Sequence, residues 1–242
     1  MVDRFRKPAR SLRAKSSATD LVSDADERAE EAIVRHLRAR RPYDAIVAEE
    51  GSAAEGRSGL RWYIDPLDGT INYLYGIPHW SVAICCADPD GALAGVIYDP
   101  LREELFSATR GHVARLGGAP LAVTDRSELA SALVATGFAY VTENRARQGT
   151  ILAEVVGEVR DVRRAGSASL DLAWVAAGRL DAYFESVDKP WDWMAGALLV
   201  REAGGRVTEL SPKDPALPRI VASAPAIHDA LLALLERATA KV

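Results

Sequence analysis

Cysteine is nearly absent from this chain: Cys85 and Cys86 are the only two in 242 residues, and they are adjacent. Neighbours in a strand point to opposite faces, so the pair is not placed to bridge, and a disulfide framework is excluded. That usage fits a reducing compartment. Long hydrophobic runs are missing as well. None approaches the ~18 residues of a membrane span, and the first residues lack the apolar stretch of a secretion signal. The sequence therefore predicts a cytoplasmic protein with no membrane partner. Positive charge is not in excess either: 30 Lys and Arg against 34 Asp and Glu leave a net charge of −4. Nucleic-acid binding usually needs a basic domain, so no nucleic-acid partner is expected. Arg4, Arg6, Lys7, Arg10, Arg13 and Lys15 crowd the start and read as a solvated arm. Internal repeats and low-complexity tracts are absent.

What remains is an ordinary globular composition, 48% hydrophobic and 26% charged, long enough for a substantial core. A helix is predicted from residue 23 to about 40, with Ser23 as its cap, acids in its first turn and Ala29, Ile33 and Leu37 at i, i+4 spacing. Strands are expected over 43–48 and 62–64, separated by a Gly-, Ala- and Ser-rich surface loop at 52–59. Apolar runs at 81–87, 92–98 and 104–108, with turn signals between them, predict an antiparallel meander, and 112–123 adds a hairpin. The polar stretch 124–127 is the best boundary, giving an N-terminal α+β half (1–126) and a C-terminal α/β half (127–242). In the second half, strands at 132–136, 159–163, 182–185, 206–209 and 220–222 alternate with helices at 144–157, 167–177, 191–202 and 225–240. Gly178 and Gly204-Gly205 mark helix ends. The pattern predicts helices layered against two sheets.

The chemistry concentrates at Asp65-Pro66-Leu67-Asp68-Gly69-Thr70, which follows the apolar run Trp62-Tyr63-Ile64. A strand ending in two carboxylates and then Gly-Thr suggests a strand-to-helix turn. There the acids could share a hard cation while Gly69 lets backbone N–H groups approach an anion. An ordinary acidic turn is the competing reading. Glu49-Glu50 ends the preceding strand, so neighbouring strand ends would set Glu49 beside Asp65; a solvated strand end is the alternative. Asp192, in Trp191-Asp192-Trp193, stands at a helix start as either cap or ligand. Asp26 and Thr70 could relay a proton from a water, although Asp26 also suits a helix first turn. The four histidines are scattered without ligand spacing.

These motifs resemble the inositol monophosphatase family of Mg²⁺-dependent, lithium-sensitive phosphatases. The likeness is carried by 15–26 (Lys15-Ser16-Ser17 through Asp26), Glu49-Glu50-Gly51, the stretch 62–73, Gly166-Ser167-Ala168 and 191–196, and it extends from about Lys15 to the C-terminus. It implies a layered αβαβα sandwich, a homodimer and two or three Mg²⁺ per site. By position, Glu49, Asp65 and the Leu67 carbonyl would hold a first ion. Asp65, Asp68 and Asp192 would hold a second, and Glu49 with waters a third. Asp26, Glu49 and Thr70 would serve catalysis. Asp68, Gly69, Thr70, Gly166, Ser167, Ala168, Glu185 and Asp192 would contact substrate. The family usually carries a long helix before the lysine motif, where fourteen residues stand here. The resemblance implies hydrolysis of a small polyol or sugar phosphate monoester, with myo-inositol 1-phosphate first. Histidinol phosphate, fructose 1,6-bisphosphate and a 3′-phosphonucleotide are the alternatives within the superfamily. The aspartyl-phosphate route of haloacid dehalogenases needs aspartates one residue apart, whereas Pro66 and Leu67 intervene here. An inactive Mg²⁺-binding regulatory protein is the non-enzyme alternative.

Overall fold

The computed structural model describes residues 1–7, 12–14 and 21–242, with side chains from 1–7 and 24–242. A short antiparallel ribbon, β1 (Leu12–Ala14) with β2 (Leu21–Ser23), leads into helix α1 (Asp24–Arg40). Then come β3 (Ala45–Ala48), β4 (Ala53–Ala54), β5 (Arg61–Asp68), the short helix α2 (Thr70–Leu74) and β6 (Ser81–Asp88). A meander follows through β7 (Gly91–Asp99), β8 (Glu104–Thr109), β9 (His112–Leu116) and β10 (Ala119–Pro120). The first large sheet has the order β10-β9-β8-β7-β6-β5-β3-β4, antiparallel except where β3 and β5 run parallel. The expected meander is therefore present, with tight turns where Asp-Gly and Asp-Pro stand.

The second half contains β11 (Leu133–Thr136), α3 (Thr142–Val155), β12 (Asp161–Arg163), α4 (Ala168–Ala176), β13 (Ala182–Glu185) and α5 (Pro190–Glu202). It closes with β14 (Arg206–Glu209), β15 (Ile220–Ser223) and α6 (His228–Thr239). The second sheet is ordered β12-β11-β13-β15-β14. It is parallel across β12-β11-β13 and antiparallel across β13-β15-β14. Helices α4 and α5 lie between the two sheets, and their buried residues Leu172, Val175, Leu198 and Leu199 join Ile97 and Phe106 of the first sheet in the main core. α3 and α6 cover the other face of the second sheet, around Ile151, Phe184, Leu231 and Leu235. Alternating helical and sheet layers result, as the resemblance implied.

Close approach fixes where α5 sits. A Cβ on Gly196 would lie 2.5 Å from Leu172 Cβ, and one on Gly95 would lie 3.0 Å from Ala195 Cα. Small residues at those contacts let α5 press against both α4 and β7, which sets the position of its first turn.

Three expectations change. The start is not a solvated arm over 1–7: Phe5 sits between Tyr73 and Trp80 with ring centroids 5.7 Å from each, and Arg4 pairs with Asp24. Aromatic burial outweighs the local basic charge there. The loop 52–59 contains β4, which pairs with β3 because two residues there can take up β3's free edge. On α1 the fully buried row is Ala25, Asp26, Glu30 and Val34, while Ala29, Ile33 and Leu37 are half-buried. Acids on a buried helix face require partners, and these two have them.

Candidate active site

Parallel pairing of β3 with β5 places their acidic ends together. Ala48 lies opposite Ile64, and the Glu49 N–H donates to the Ile64 carbonyl at 3.1 Å, so Glu49 stands beside Asp65 as the sequence predicts. β5 runs on through the acidic stretch to Asp68, longer than expected, with a register shift against β6 between Asp65 and Asp68. Residues three apart in a regular strand point to opposite faces; the irregularity re-aims Asp68 towards Asp65. Asp65 is 2% exposed, and its Oδ1 accepts the Leu67 N–H at 2.9 Å. The chain then turns at Gly69, whose φ of 92° suits glycine, into α2. A Cβ there would meet the His79 carbonyl at 3.1 Å and the Gly166 carbonyl at 3.2 Å, so Gly69 and Gly166 meet backbone to backbone.

α1 supplies two buried carboxylates four residues apart, hence on one face. Asp26, with no exposed surface, accepts from Thr70 Oγ1 at 2.9 Å. Glu30 accepts the backbone N–H groups of Glu50 at 2.7 Å and Ser52 at 2.9 Å, which shapes the turn carrying Glu49. Thr70 Oγ1 also lies 3.0 Å from the Leu67 carbonyl. One hydroxyl proton faces two acceptors there, and the charged one is the stronger.

Asp192 is the third residue of α5, whose cap is Lys189 and makes no side-chain cap bond. Asp192 is therefore not a helix cap. Ser167 is a cap: its Oγ receives the Leu170 N–H of α4 at 3.4 Å and donates to Asp68 Oδ2 at 2.6 Å. Ala168 opens α4, and its backbone N–H is also directed to Asp68. Glu185 ends β13 and lies against Gly137, where any Cβ would fall about on its carboxylate (2.0 Å). Residues 15–17 lie outside the described ones.

Electrostatics bind these positions into one site. Burial, then Glu49, Asp68 and Asp192, push the Asp65 carboxyl well above the ordinary carboxylate range. Asp192 is raised likewise by burial, Glu49, Asp68 and Glu185. Burial raises Asp68 too, against opposing hydrogen bonds from Ser167 and Ser169. None of these three aspartates has a Lys or Arg ion-pair partner among the described residues. Such a set needs a cation to be charged together. No three His, Cys, Asp or Glu side chains among the described residues close into a ready metal cage. Mg²⁺ does not require one, since it commonly takes one or two carboxylates and fills its shell with water and phosphate. The all-oxygen donor set fits a hard cation.

Burial pushes Glu185 from 4.5 up to about 7, against the Tyr183 hydroxyl donating at 2.9 Å and the nearby Arg164 guanidinium. Between those two values the native state holds a proton that the unfolded chain has released. Its stabilising share is thus complete below 4.5 and lost as pH rises through about 7. Without divalent cations, the melting temperature of the Glu185→Gln protein should fall less between pH 5 and 8 than that of the wild type. Equal slopes would show that Glu185 is not the titrating group.

Sequence reasoning missed several contributors. Asn72 donates to the His79 carbonyl at 2.7 Å and the Ala165 carbonyl at 2.8 Å, tying α2 to the Gly166 loop. The i, i+4 spacing of Asp26 and Glu30 could have flagged Glu30. Ser169 donates its N–H (2.8 Å) and its hydroxyl to Asp68 Oδ2 from 101 residues away, and no local signal announces it.

Comparison with known proteins meets this geometry. The model of the inositol monophosphatase family matches residues 2–240. An inositol-1-monophosphatase of Mycobacterium bovis is 43% identical over 237 residues, covering 94% of this chain and 82% of the relative. A Nus factor SuhB of Pasteurella multocida is 42% identical over 220 residues, covering 89% and 82% respectively. Among solved structures, the Thermotoga maritima IMPase TM1415 superposes with a TM-score of 0.87 at 29% identity, covering all of this chain and 92% of that one. With the family model matching residues 2–240 and a relative 43% identical over 94% of this sequence, the chain belongs to the inositol monophosphatase family.

Proposed function

We propose that this protein hydrolyses a small polyol or sugar phosphate monoester with Mg²⁺, and that myo-inositol 1-phosphate is its preferred substrate. One observation supports this most: the counter-ion-poor aspartates around Asp65 lie beside the Thr70–Asp26 hydrogen bond of 2.9 Å. Glu49, Asp65 and the Leu67 carbonyl would hold one Mg²⁺, and Asp65, Asp68 and Asp192 another. Bound there, Mg²⁺ supplies Lewis acidity towards water and phosphate oxygens. Thr70 directs its proton to Asp26, which leaves its oxygen lone pairs to accept from an attacking water and orient it. Asp26 holds Thr70 in that rotamer. The N–H groups of Gly69 and Thr70 lack helical acceptors, as in any first turn, and would receive the phosphate. Gly166, Ser167, Ala168 and Glu185 would border the polyol, with Asp192 near the ester oxygen. Two free, buried thiols suit a cytoplasmic setting.

Relatives carry two kinds of name, inositol-1-monophosphatase and Nus factor SuhB. The intact Thr70–Asp26 pair favours hydrolysis over an inactive Mg²⁺-binding role in this chain. Comparing kcat/KM at saturating Mg²⁺ for inositol 1-phosphate, histidinol phosphate, fructose 1,6-bisphosphate and a 3′-phosphonucleotide tests the substrate. The expected leader is inositol 1-phosphate. Preference for another ester would keep the reaction and move the substrate, and inertness towards all four would sink the hydrolytic reading.

A further inference from the structure

Two buried serines outside the motifs converge behind Asp68. Ser81 opens β6 directly opposite Asp68 of β5, and Ser169 lies in the first turn of α4; neither has exposed surface. Ser169 gives Asp68 Oδ2 both its N–H, at 2.8 Å, and its hydroxyl, while Ser167 Oγ reaches the same oxygen at 2.6 Å. Ser81 Oγ is 2.9 Å from Ser169 Oγ.

Counting protons orients this chain. A serine hydroxyl has one proton, and an ionised carboxylate can only accept. The Ser169 proton therefore goes to Asp68, and Ser169 Oγ must accept from Ser81. The order is Ser81 O–H to Ser169 O–H to Asp68 Oδ2, and each bond polarises the next. Three of the donors directed at Asp68 meet on Oδ2, with the Ala168 N–H also directed to the carboxylate. Among the described residues no donor lies within hydrogen-bond distance and angle of Oδ1, the oxygen left to a cation.

We propose that the Ser169 hydroxyl, backed by Ser81, is a positioning group that completes, with Ser167 and the Ser169 N–H, the occupation of Oδ2, biases Asp68 towards single-oxygen ligation and so favours Mg²⁺ over Ca²⁺. The inference rests on Asp68 being a metal ligand. Mg²⁺ demands compact, near-octahedral coordination, whereas Ca²⁺ accepts longer bonds and two-oxygen carboxylates. Occupying Oδ2 disfavours the second mode. Ser167 shares the oxygen and is equally buried, but it is the cap of α4 and a residue proposed above to border the polyol, whereas Ser81 and Ser169 are not. They reach no substrate and act only through Asp68.

Calorimetric titration of MgCl₂ and, separately, CaCl₂ tests this in the substrate-free wild type, Ser169→Ala, Ser81→Ala and the double variant. Ser169→Ala should weaken Mg²⁺ binding roughly tenfold, the lower range for outer-shell partners of a metal ligand. Its Ca²⁺ affinity should fall less, so the preference for Mg²⁺ narrows. Ser81→Ala should have a smaller effect that disappears in the Ser169→Ala background, because Ser81 works through Ser169. A purely structural role would lower affinity for both ions equally, and that outcome overturns the proposal. So does unchanged Mg²⁺ affinity in Ser169→Ala, or additive effects in the double variant. Failure of the wild type to take up Mg²⁺ would overturn the metal reading itself, and with it this inference. Thermal melts of each metal-free variant confirm that it is folded before titration.

Discussion

Replacing Asp65 by Asn should abolish phosphate release while raising the melting temperature of the metal-free protein. The two effects have one cause. Asp65 is 2% exposed and is raised well above the ordinary carboxylate range by burial, then by Glu49, Asp68 and Asp192. A group whose native pKa is raised loses its stabilising share as pH climbs through that value. Near neutrality the metal-free cluster is therefore a liability, and an amide relieves it. Asn keeps the shape and retains an oxygen to accept the Leu67 N–H, a bond of 2.9 Å in the native chain. Each kcal/mol regained should appear as about 2–4 °C for a chain of this size. The rate moves the other way. Losing a carboxylate shared by both proposed ions removes several kcal/mol of charge stabilisation, a drop of at least about 10³-fold. Mg²⁺ should also lose its ability to raise the melting temperature. Melting curves with and without Mg²⁺, beside a phosphate-release assay, check all three. A variant that is active, or less stable without metal, would remove Asp65 from the centre of the site.

Thr70→Ala should separate binding from chemistry. Its hydroxyl donates to Asp26 at 2.9 Å and lies 3.0 Å from the Leu67 carbonyl, but it is not one of the proposed metal ligands. Removing it deletes the acceptor that orients the attacking water and leaves the carboxylates in place. Turnover should fall by roughly 10²–10⁴-fold, the usual range for a positioned proton-transfer group. Mg²⁺ affinity and KM should hold, and Thr70→Ser should restore most of the rate. Asp26 would lose the 2.9 Å hydrogen bond from Thr70, so a small loss of stability accompanies the change. If Mg²⁺ affinity fell in proportion to the rate, Thr70 would be supporting the Leu67 carbonyl as part of the metal site instead.

The parts legible in the sequence were those governed by local pattern. Apolar runs ending in Glu49 and Asp65 marked two strands, whereas their parallel pairing, with β4 on the far edge of β3, had no mark in the sequence. Gly69 announced a turn by residue type, and the helix expected from Ser167 begins one residue later with Ser167 as its cap. What escaped was set by tertiary contact. Phe5 docks on Tyr73 and Trp80, some seventy residues on, so basic neighbours misrepresented the start. β4 exists because β3 has an edge to fill, and a two-residue strand leaves no periodic trace. The buried face of α1 was hidden because two of its residues, Asp26 and Glu30, are acids satisfied by partners on other elements. Ser169 became visible only when α4 was laid beside β5.

Phosphate release from myo-inositol 1-phosphate by the wild-type chain, followed as Mg²⁺ is added and then withdrawn with a chelator, probes the metal and the reaction at once. Release should be absent without Mg²⁺, rise with its concentration, stop on chelation and return when Mg²⁺ is restored. Release that continues through chelation would contradict a metal-dependent site built on Asp65, Asp68 and Asp192.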